Sequence, residues 1–272
     1  MESAWTRVSG ARRCPVCGKP DWCLVSSDAS AAICPRTPSK NYIDGSGYLH
    51  VLKESKDLTP RKYTPKPLPE HSSIIHQIHM SLKGGATQER LQSLGESLGV
   101  SVESLRALYV GFSESKNSYS FPMTRAGRRM LGIRFRSTTG SKFSARGGKE
   151  GLFIPSTFTK SKAVVICEGP TDTAALLDLG FNAIGRPSCL GGARLIEELI
   201  GRLPVAIFAD SDGPGKSGAE LLKKRLLKTA PPKTPVVFWS EGFDDARQMV
   251  ANGASKTDVM DLINKAKNEQ DC

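Results

Sequence analysis

The chain has 272 residues, of which 39% are hydrophobic and 24% charged, so it is long enough for one large domain or for two or three small ones. Its longest apolar runs, 163–167 and 204–208, are too short to cross a bilayer, and residues 1–13 lack the apolar core of a signal peptide. These features exclude a membrane-spanning helix, and a cytoplasmic protein is expected.

The net charge of +11 is concentrated in the middle of the chain. Residues 59–160 contain 16 basic and 6 acidic residues, whereas residues 1–58 contain 8 and 6, and residues 161–272 contain 14 and 15. Such a concentrated basic segment favours a polyanionic partner. The alternative is a basic surface that serves solubility alone.

The first segment, residues 1–57, is predicted to be a zinc-binding module. Four of the seven cysteines follow the spacing C-x2-C-x5-C-x10-C, namely Cys14, Cys17, Cys23 and Cys34. Four thiolates complete a tetrahedral Zn²⁺ shell, and the glycine of C-P-x-C-G permits a tight turn. A segment this short needs such a staple. Because the spacing departs from paired C-x2-C motifs, Cys23 is the least secure ligand, and His50 is its alternative.

Residues 58–72 are predicted to be a proline-rich linker. The basic segment that follows, residues 73–160, starts with helical patterns, and Ser101 is placed to cap one of these helices. Strands are predicted from residue 118 onwards, including 151–155. Alternation in one of them puts Ile133 and Phe135 on one face of the sheet, with the arginines at 134 and 136 on the other.

The last segment, residues 161–272, alternates strands with helices and ends in helices. Apolar strands are predicted at 163–168, 182–185, 204–210 and 235–240, and each is followed by a helical pattern. Repeated βα units imply a parallel sheet with flanking helices. The predicted fold class is therefore α/β, with a basic α+β subdomain and a zinc-ribbon-like module before the parallel sheet.

The stretch FADSDGPGKSG, residues 208–218, contains the G-K-S that ends a nucleotide-binding P-loop. A P-loop also needs glycine five positions before its G-K pair, and Asp210 occupies that position. A carboxylate there would repel the phosphates. The segment is therefore interpreted as a turn and the start of a helix, and Lys216 is not expected to hold phosphates.

Carboxylates follow two of the predicted parallel strands. Glu168 ends the first strand, and Asp210 and Asp212 follow the third. Because functional groups gather where the carboxyl ends of parallel strands meet, these three side chains are expected to converge. Like charges held so close are costly unless a cation neutralises them, and oxygen ligands suit Mg²⁺ or Mn²⁺. Asp172 is expected either to support this site or to complement its own helix N-terminus.

The ordered pair of motifs resembles the TOPRIM domain, which is shared by type IA and II topoisomerases, DnaG-type primases and several nucleases. Residues 168–172 match its EGxxD motif, and residues 210–215 match its DxDxxG motif. The resemblance implies that Asp210 and Asp212 bind Mg²⁺ and that Glu168 is a metal ligand or a general acid/base.

Two further aspartates, Asp244 and Asp245, resemble the KDxxD/E stretch that closes the primase version of this domain. Phe243 replaces the usual lysine, which makes this match looser. Together with Asp172, these two aspartates are predicted to lie around the metal ligands and to support them.

Residues 121–155 resemble the basic subdomain that precedes TOPRIM in DnaG-type and phage primases. Lys142 stands where that family has the lysine of a Lys-Tyr pair, so the resemblance implies that it contacts nucleotide or template phosphate. Arg134, Arg136 and Arg146 are expected on the same basic surface. Primases also carry an N-terminal zinc module that helps to read single-stranded template, and Trp22 is expected either to stack on a base there or to pack against the zinc knuckle.

The resemblance implies a DNA-dependent RNA primase of phage or mobile-element type in a bacterial or phage-infected cell. It would join NTPs on a single-stranded DNA template by metal-assisted phosphoryl transfer, with Mg²⁺ or Mn²⁺ and Zn²⁺ as cofactors and a separate helicase as a partner. Two alternatives stay open. One is a TOPRIM nuclease that uses the same acids to cleave nucleic acid, and the other is a non-catalytic zinc-containing module that binds or loads single-stranded DNA.

Overall fold

The computed structural model describes residues 5–43, 46–53, 71–228, 231 and 234–270, without the side chains of residues 71–74. The chain forms two compact units, Met1–Leu68 and Pro69–Cys272. Most of the predicted linker, residues 58–70, lies outside the described residues, and its last two positions begin a helix. None of the helices in the described parts of the chain has the length and apolar character that a membrane span requires.

The first unit contains an antiparallel sheet of five strands in the order β1-β2-β3-β5-β4. The strands are β1 (Trp5–Arg7), β2 (Leu24–Ser26), β3 (Ala31–Cys34), β4 (Asn41–Ile43) and β5 (Gly47–Val51). Its small core combines three cysteines, Cys14, Cys23 and Cys34, with Val8, Val25 and Ala32. So few apolar side chains stabilise a unit weakly, which agrees with the expectation that a metal staples it.

The second unit begins with three helices and an antiparallel sheet. These elements are α1 (His71–Lys83), α2 (Gln88–Leu98), α3 (Val102–Ala107), β6 (Gly111–Ser113), β7 (Ser118–Thr124), β8 (Met130–Ser137) and β9 (Lys142–Ser144). The strands pair in sequence order. The predicted cap is confirmed, because the Ser101 side chain accepts a hydrogen bond from the Ser104 N–H. Ile133 and Phe135 lie in one buried cluster, as the alternation predicts.

A parallel sheet follows in the same unit, with strand order β11-β10-β12-β13. Its strands and helices are β10 (Val164–Glu168), α4 (Gly169–Asp178), β11 (Ala183–Arg186), α5 (Ala193–Ile200), β12 (Val205–Phe208), α6 (Gly213–Leu226), β13 (Val236–Phe238), α7 (Ala246–Ala251) and α8 (Lys256–Gln270). The predicted fold class, an α/β chain with flanking helices and an N-terminal cysteine module, is confirmed.

Side chains alternate between the two faces of the parallel sheet. Val164 and Ile166 pack into a core cluster with α5 and α6, whereas Val165 and Cys167 pack into a second cluster with α4, α7 and α8. Both faces are therefore covered, which leaves the edge where the strands end as the exposed part of the sheet.

The stretch 151–155 differs from its predicted strand. It forms two isolated bridges, one between Leu152 and Thr124 of β7 and one between Phe153 and Gly185 of β11. These bridges connect the antiparallel sheet to the parallel sheet. Both segments belong to one compact unit, and the division between residues 160 and 161 stays a prediction from the sequence.

Candidate functional site

The four cysteines of the first unit converge. One candidate ligand atom from each of Cys14, Cys17, Cys23 and Cys34 lies within 4.8 Å of the others. The Cys17 and Cys23 sulfurs are 3.6 Å apart, and the Cys23 and Cys34 sulfurs are 3.7 Å apart. Four thiols gathered in this way match the donor set of a structural zinc site.

The turn between the first two cysteines has the form of a zinc knuckle. Gly18, directly after Cys17, adopts φ +71° and its N–H donates to the Cys14 carbonyl at 2.9 Å, and this left-handed conformation favours glycine. The Val16 N–H lies 3.4 Å from the Cys14 sulfur and donates to it. Backbone donors of this kind stabilise a thiolate, which is the form that binds metal.

The pKa values of the cysteine thiols depend on burial and on the neighbouring thiols. Burial raises the pKa of Cys14 and of Cys23. Burial alone would also raise the pKa of Cys17, but the Lys19 N–H and the neighbouring cysteines lower it to about 7. A cation in the cluster would stabilise all four thiolates together, so these sulfurs fit Zn²⁺.

Cys23, which the spacing leaves least secure, is fully buried and lies within the cluster. His50 lies outside it, and its Nε2 donates a hydrogen bond to the Thr37 carbonyl at 2.9 Å. Among the residues that the structure describes, Cys23 therefore completes the group of four. Trp22, one residue earlier, has 36% of its surface exposed.

The predicted acidic residues of the second unit lie at the carboxyl edge of the parallel sheet. Glu168 is the last residue of β10, and Asp210 follows β12, which pairs with β10 in parallel register. Asp212 caps α6, where its Oδ1 accepts the Gly215 N–H at 2.7 Å. The topology thus brings together acids that are 42 residues apart in the sequence.

The charges of these acids act on one another. Burial raises the pKa of Asp210 to about 8, and the negative charges of Glu168, Asp172, Asp245 and Asp212 contribute in that order. Burial also raises the pKa of Glu168, and the charge of Asp212 adds to this. Burial and mutual repulsion therefore disfavour ionisation of these carboxyl groups, and a bound divalent cation would offset the repulsion.

The three carboxylates of Glu168, Asp210 and Asp212, here called the acidic edge, are more widely spaced than the four cysteine sulfurs. Among the described residues, only the cysteines form a group of three or more metal-ligating side chains within 4.8 Å of one another. The wider spacing of the carboxylates fits Mg²⁺, which keeps several waters and binds one or two protein carboxylates together with phosphate oxygens. Gly215 has to be glycine here, because a Cβ would lie 2.8 Å from the Asp210 Cβ and from the Asp212 Oδ1.

Asp172, Asp244 and Asp245, which the sequence predicts to support the metal ligands, each have a hydrogen-bonding partner. Asp172 is buried, and its Oδ1 accepts the Arg247 N–H at 3.0 Å. Burial and then the charge of Asp245 raise the pKa of Asp172 to about 7. Asp245 caps α7, and the Asp244 carbonyl accepts the Ser211 N–H at 2.9 Å. The loops after β12 and β13 are therefore joined beside Asp210.

Basic side chains of the antiparallel sheet approach this acidic edge. The positive charge of Lys142, on β9, lowers the pKa of both Glu168 and Asp172 against the larger effect of burial. Burial lowers the pKa of Arg136, and the charge of Arg247 lowers it further, so Arg136 lies near α7. Lys142 and Arg146 are exposed. An anionic ligand at the edge would therefore meet the charge of Lys142.

Arg134 differs from the expectation that it lines an open surface. Its side chain is 7% exposed. Its Nη2 donates to the Pro187 carbonyl at 3.3 Å and lies 4.0 Å from the Glu150 carboxylate. The opposite face of β8 is covered by the loop after β11, so the alternation of side chains identified the face of Arg134 correctly but not its exposure.

Two arginines at the acidic edge escaped the sequence interpretation. Arg186 ends β11 in register with Glu168, is 3% exposed, and donates to the Gly218 carbonyl at 3.2 Å. Arg247, on α7, lies 3.6 Å from the Asp245 carboxylate. The signal for Arg186 was present, because it stands at a strand end as Glu168 does. Arg247 is brought to the edge by the packing of α7 against α4.

Lys216 lies in the first turn of α6 and its Nζ is 4.5 Å from the centre of the Trp239 ring. This is a cation–π geometry. The sequence 208–218 forms a strand end, a turn and a helix start, as predicted, and Asp212 supplies the helix cap.

The comparisons with known proteins concern the fold. No family model matches the chain, and no curated protein matches it in sequence. A solved DnaG catalytic core matches with a TM-score of 0.57 at 15% identity, over 72% of this chain and 79% of its own. The primase core of E. coli matches with a TM-score of 0.53 at 14% identity, over 72% of this chain and 80% of its own.

A third structure spans both units. The zinc-binding and RNA polymerase domains of the Aquifex aeolicus primase match with a TM-score of 0.54 at 15% identity, over 98% of this chain and 80% of that one. The resemblance to DnaG-type primases that the motifs indicate is therefore confirmed in the fold. At these identities the likeness concerns architecture, and function has to be argued from the site.

Proposed function

We propose that the protein is a DNA-dependent RNA primase, a nucleotidyltransferase that synthesises short primers on single-stranded DNA. The observation that carries this proposal is the gathering of acids at the carboxyl edge of the parallel sheet, with Arg186 in register with Glu168, the Arg247 N–H donating to Asp172, and Lys142 of the antiparallel sheet lowering the pKa of both acids. Joining nucleotides requires both features, because a metal ion and cations have to neutralise the phosphates that react.

Asp210 and Asp212 would hold Mg²⁺, and Glu168 would either complete the metal site or accept the proton of the attacking 3′-hydroxyl. The bound ion would supply charge stabilisation to the phosphates in the transition state. Burial raises the pKa of Glu168, and a raised pKa makes a carboxylate a stronger base for accepting a proton from the hydroxyl. The hydrogen bonds of Asp172 and Asp245 to the first turn of α7 would fix the loop beside Asp210.

Lys142, Arg136 and Arg146 would bind the phosphates of the nucleotide or the template. Arg134 would act differently, because its buried guanidinium contacts the Pro187 carbonyl. It would hold β8 against the loop after β11 and so position the neighbouring cations. One of the similar structures is a DnaG primase catalytic domain bound to single-stranded DNA, with a TM-score of 0.55 at 15% identity. That likeness of fold supports a single-stranded template as the partner of this surface.

The zinc module would contribute to template recognition through its exposed side chains, with Trp22 as the residue that stacks on a base. The four cysteines would hold Zn²⁺ for stability, because four thiolates leave no coordination position for a substrate. A phage or mobile-element origin and a separate helicase partner stay predictions from the sequence.

The test is an assay with labelled NTPs, single-stranded DNA and Mg²⁺, in which RNA synthesis and DNA cleavage are measured in the same samples. We expect short RNA products that require both DNA and Mg²⁺, and their loss in Asp210→Asn. Cleavage of the DNA without RNA synthesis would contradict the primase and favour the nuclease. Binding of DNA with neither reaction would favour the non-catalytic module.

A further inference from the structure

Trp239 lies at the acidic edge but belongs to none of the motifs discussed so far. It follows β13 directly, and β13 pairs with β12 so that Phe238 is opposite Phe208. The Ala209 N–H donates to the Phe238 carbonyl at 2.9 Å. The backbone of Trp239 therefore lies one strand spacing, ~4.8 Å, from the backbone of the Ala209–Asp210 segment.

The side chain of Trp239 extends on the α6 side of the sheet. Val237, two residues earlier, packs in the cluster that contains α6, and strand residues two apart share a face. Lys216, in the first turn of α6, places its Nζ 4.5 Å from the centre of the indole ring. Because Asp212 caps the same helix, the metal-binding segment and the indole are connected through one helical turn.

The core does not require an aromatic residue at this position. Phe208 and Phe238 already stack in the interior, with ring centres 4.7 Å apart, and both are buried. Trp239 instead keeps 36% of its surface exposed although Lys216 packs against it. A large aromatic ring that is held in position beside the acidic edge is suited to stack on a flat ligand.

We propose that Trp239 is the stacking platform for a nucleobase whose phosphate lies at the acidic edge. The proposal rests on the proposed function, since it needs a nucleotide or a nucleic acid strand as the ligand. Lys216 would orient the ring through the cation–π contact, and its charge would favour an anionic ligand. The base comes either from the incoming NTP or from the DNA strand, and both offer the same π-face.

The full-length wild type, Trp239→Phe and Trp239→Ala are compared by tryptophan fluorescence during titration with Mg²⁺-ATP, with Mg²⁺-tripolyphosphate and with oligo(dT). Tripolyphosphate supplies the charge of ATP without a base. We expect ATP to quench the wild-type fluorescence, tripolyphosphate to leave it unchanged, and the quench to be absent in Trp239→Phe. Quenching by oligo(dT) alone, if it is also absent in Trp239→Phe, would support the same platform with the DNA strand as the source of the base; oligo(dT) quenching that persists in Trp239→Phe comes from another tryptophan such as Trp22 and would contradict the platform.

Steady-state primer synthesis separates stacking from a structural role. If the base belongs to the NTP, Trp239→Ala should raise KM for NTP about tenfold with kcat within about twofold, and Trp239→Phe should restore most of the affinity because phenylalanine also stacks. If the base belongs to the strand, the same pattern should appear in KM for DNA. Circular dichroism confirms folding.

Equilibrium dialysis with labelled ATP and DNA distinguishes failure of this inference from failure of the proposed function. The platform is wrong, and the primase proposal stands, if the wild type and Trp239→Ala bind both ligands equally well and if the wild type shows no quench that is lost in Trp239→Phe. If the wild type binds neither ligand and makes no RNA, both proposals are wrong.

Discussion

The cysteine cluster and the acidic edge are two candidate metal sites that the chain builds in opposite ways. The cysteine ligands come from 21 consecutive residues and gather within 4.8 Å of one another. The acids come from the ends of separate strands and stay more widely spaced. A closed set of four thiolates stabilises a small unit, whereas an open set of carboxylates leaves positions for water and phosphate oxygens. The cysteine cluster therefore suits a structural metal, whereas the acidic edge would suit a reactive one.

The largest effect is expected from Asp210→Asn. The change removes a ligand charge at the acidic edge, so Mg²⁺-dependent primer synthesis should fall about 1,000-fold while the fold is kept. Glu168→Gln should behave in the same way, because the two acids lie on neighbouring strands. Primer-synthesis rates, with circular dichroism as the check on folding, measure both.

Lys216→Ala distinguishes the acidic edge from a P-loop. It should lose less than about tenfold in activity, since Lys216 contacts the Trp239 ring rather than holding phosphates in a P-loop. An inactive Lys216→Ala together with an active Asp210→Asn would restore the P-loop interpretation and remove the acidic edge from the mechanism.

Cys14→Ser combined with Cys17→Ser should remove Zn²⁺ and unfold the first unit, because its core is too small to fold without the metal. The wild type should contain about one Zn²⁺ per chain by elemental analysis. Cys23→Ser should also lose the metal, whereas His50→Ala should keep it because His50 lies outside the cluster. Wild-type protein that is purified without zinc would contradict a structural metal here.

Arg136→Ala combined with Lys142→Ala should weaken binding to single-stranded DNA and reduce the slope of log affinity against log salt by about 2, because each removed cation leaves one phosphate without a partner. Lys160→Ala with Lys162→Ala removes the same charge from exposed residues near the opposite end of β10 and should leave the slope unchanged. Equal slopes for the two variants would show that net charge, and not the acidic edge and its cations, governs binding.

The smallest effect concerns stability without Mg²⁺. Folding raises the pKa of Asp210 from its usual value of about 3.9 to about 8. The folded protein therefore loses stability as the pH rises between these two values, because the carboxyl ionises there in the unfolded chain only. Asp210→Asn should therefore raise Tm by about 2–4 °C at pH 9, which corresponds to ~1 kcal/mol for a unit of this size. At pH 5 the carboxyl is ionised in the unfolded chain but protonated in the folded protein, so the stabilisation by Asp210→Asn should be present but smaller than at pH 9. Thermal melts with zinc retained measure this, and a variant that is less stable at pH 9 would contradict repulsion among the acids.

The sequence by itself determined the elements and the residues that carry chemistry locally. The strand ending at Glu168 follows from a short apolar run, and the helix start follows from the turn sequence before it. The predicted strand 204–210 ends earlier, at Phe208, and the cap by Asp212 is seen only in the structure. The cysteine spacing predicted which thiols gather, because all four belong to one short segment, although it left His50 open as an alternative to Cys23. Parallel βα units then predicted which acids meet, since every strand presents its carboxyl end to the same edge.

The tertiary structure alone decided burial and partnership across distant segments. Alternation assigned the face of Arg134 but did not reveal that the Pro187 loop covers it. The approach of Arg247 to Asp172, and of Lys216 to Trp239, depends on how helices pack on the sheet. Periodicity specifies the face of an element, whereas the partner of that face depends on crossovers that bring together residues far apart in the chain.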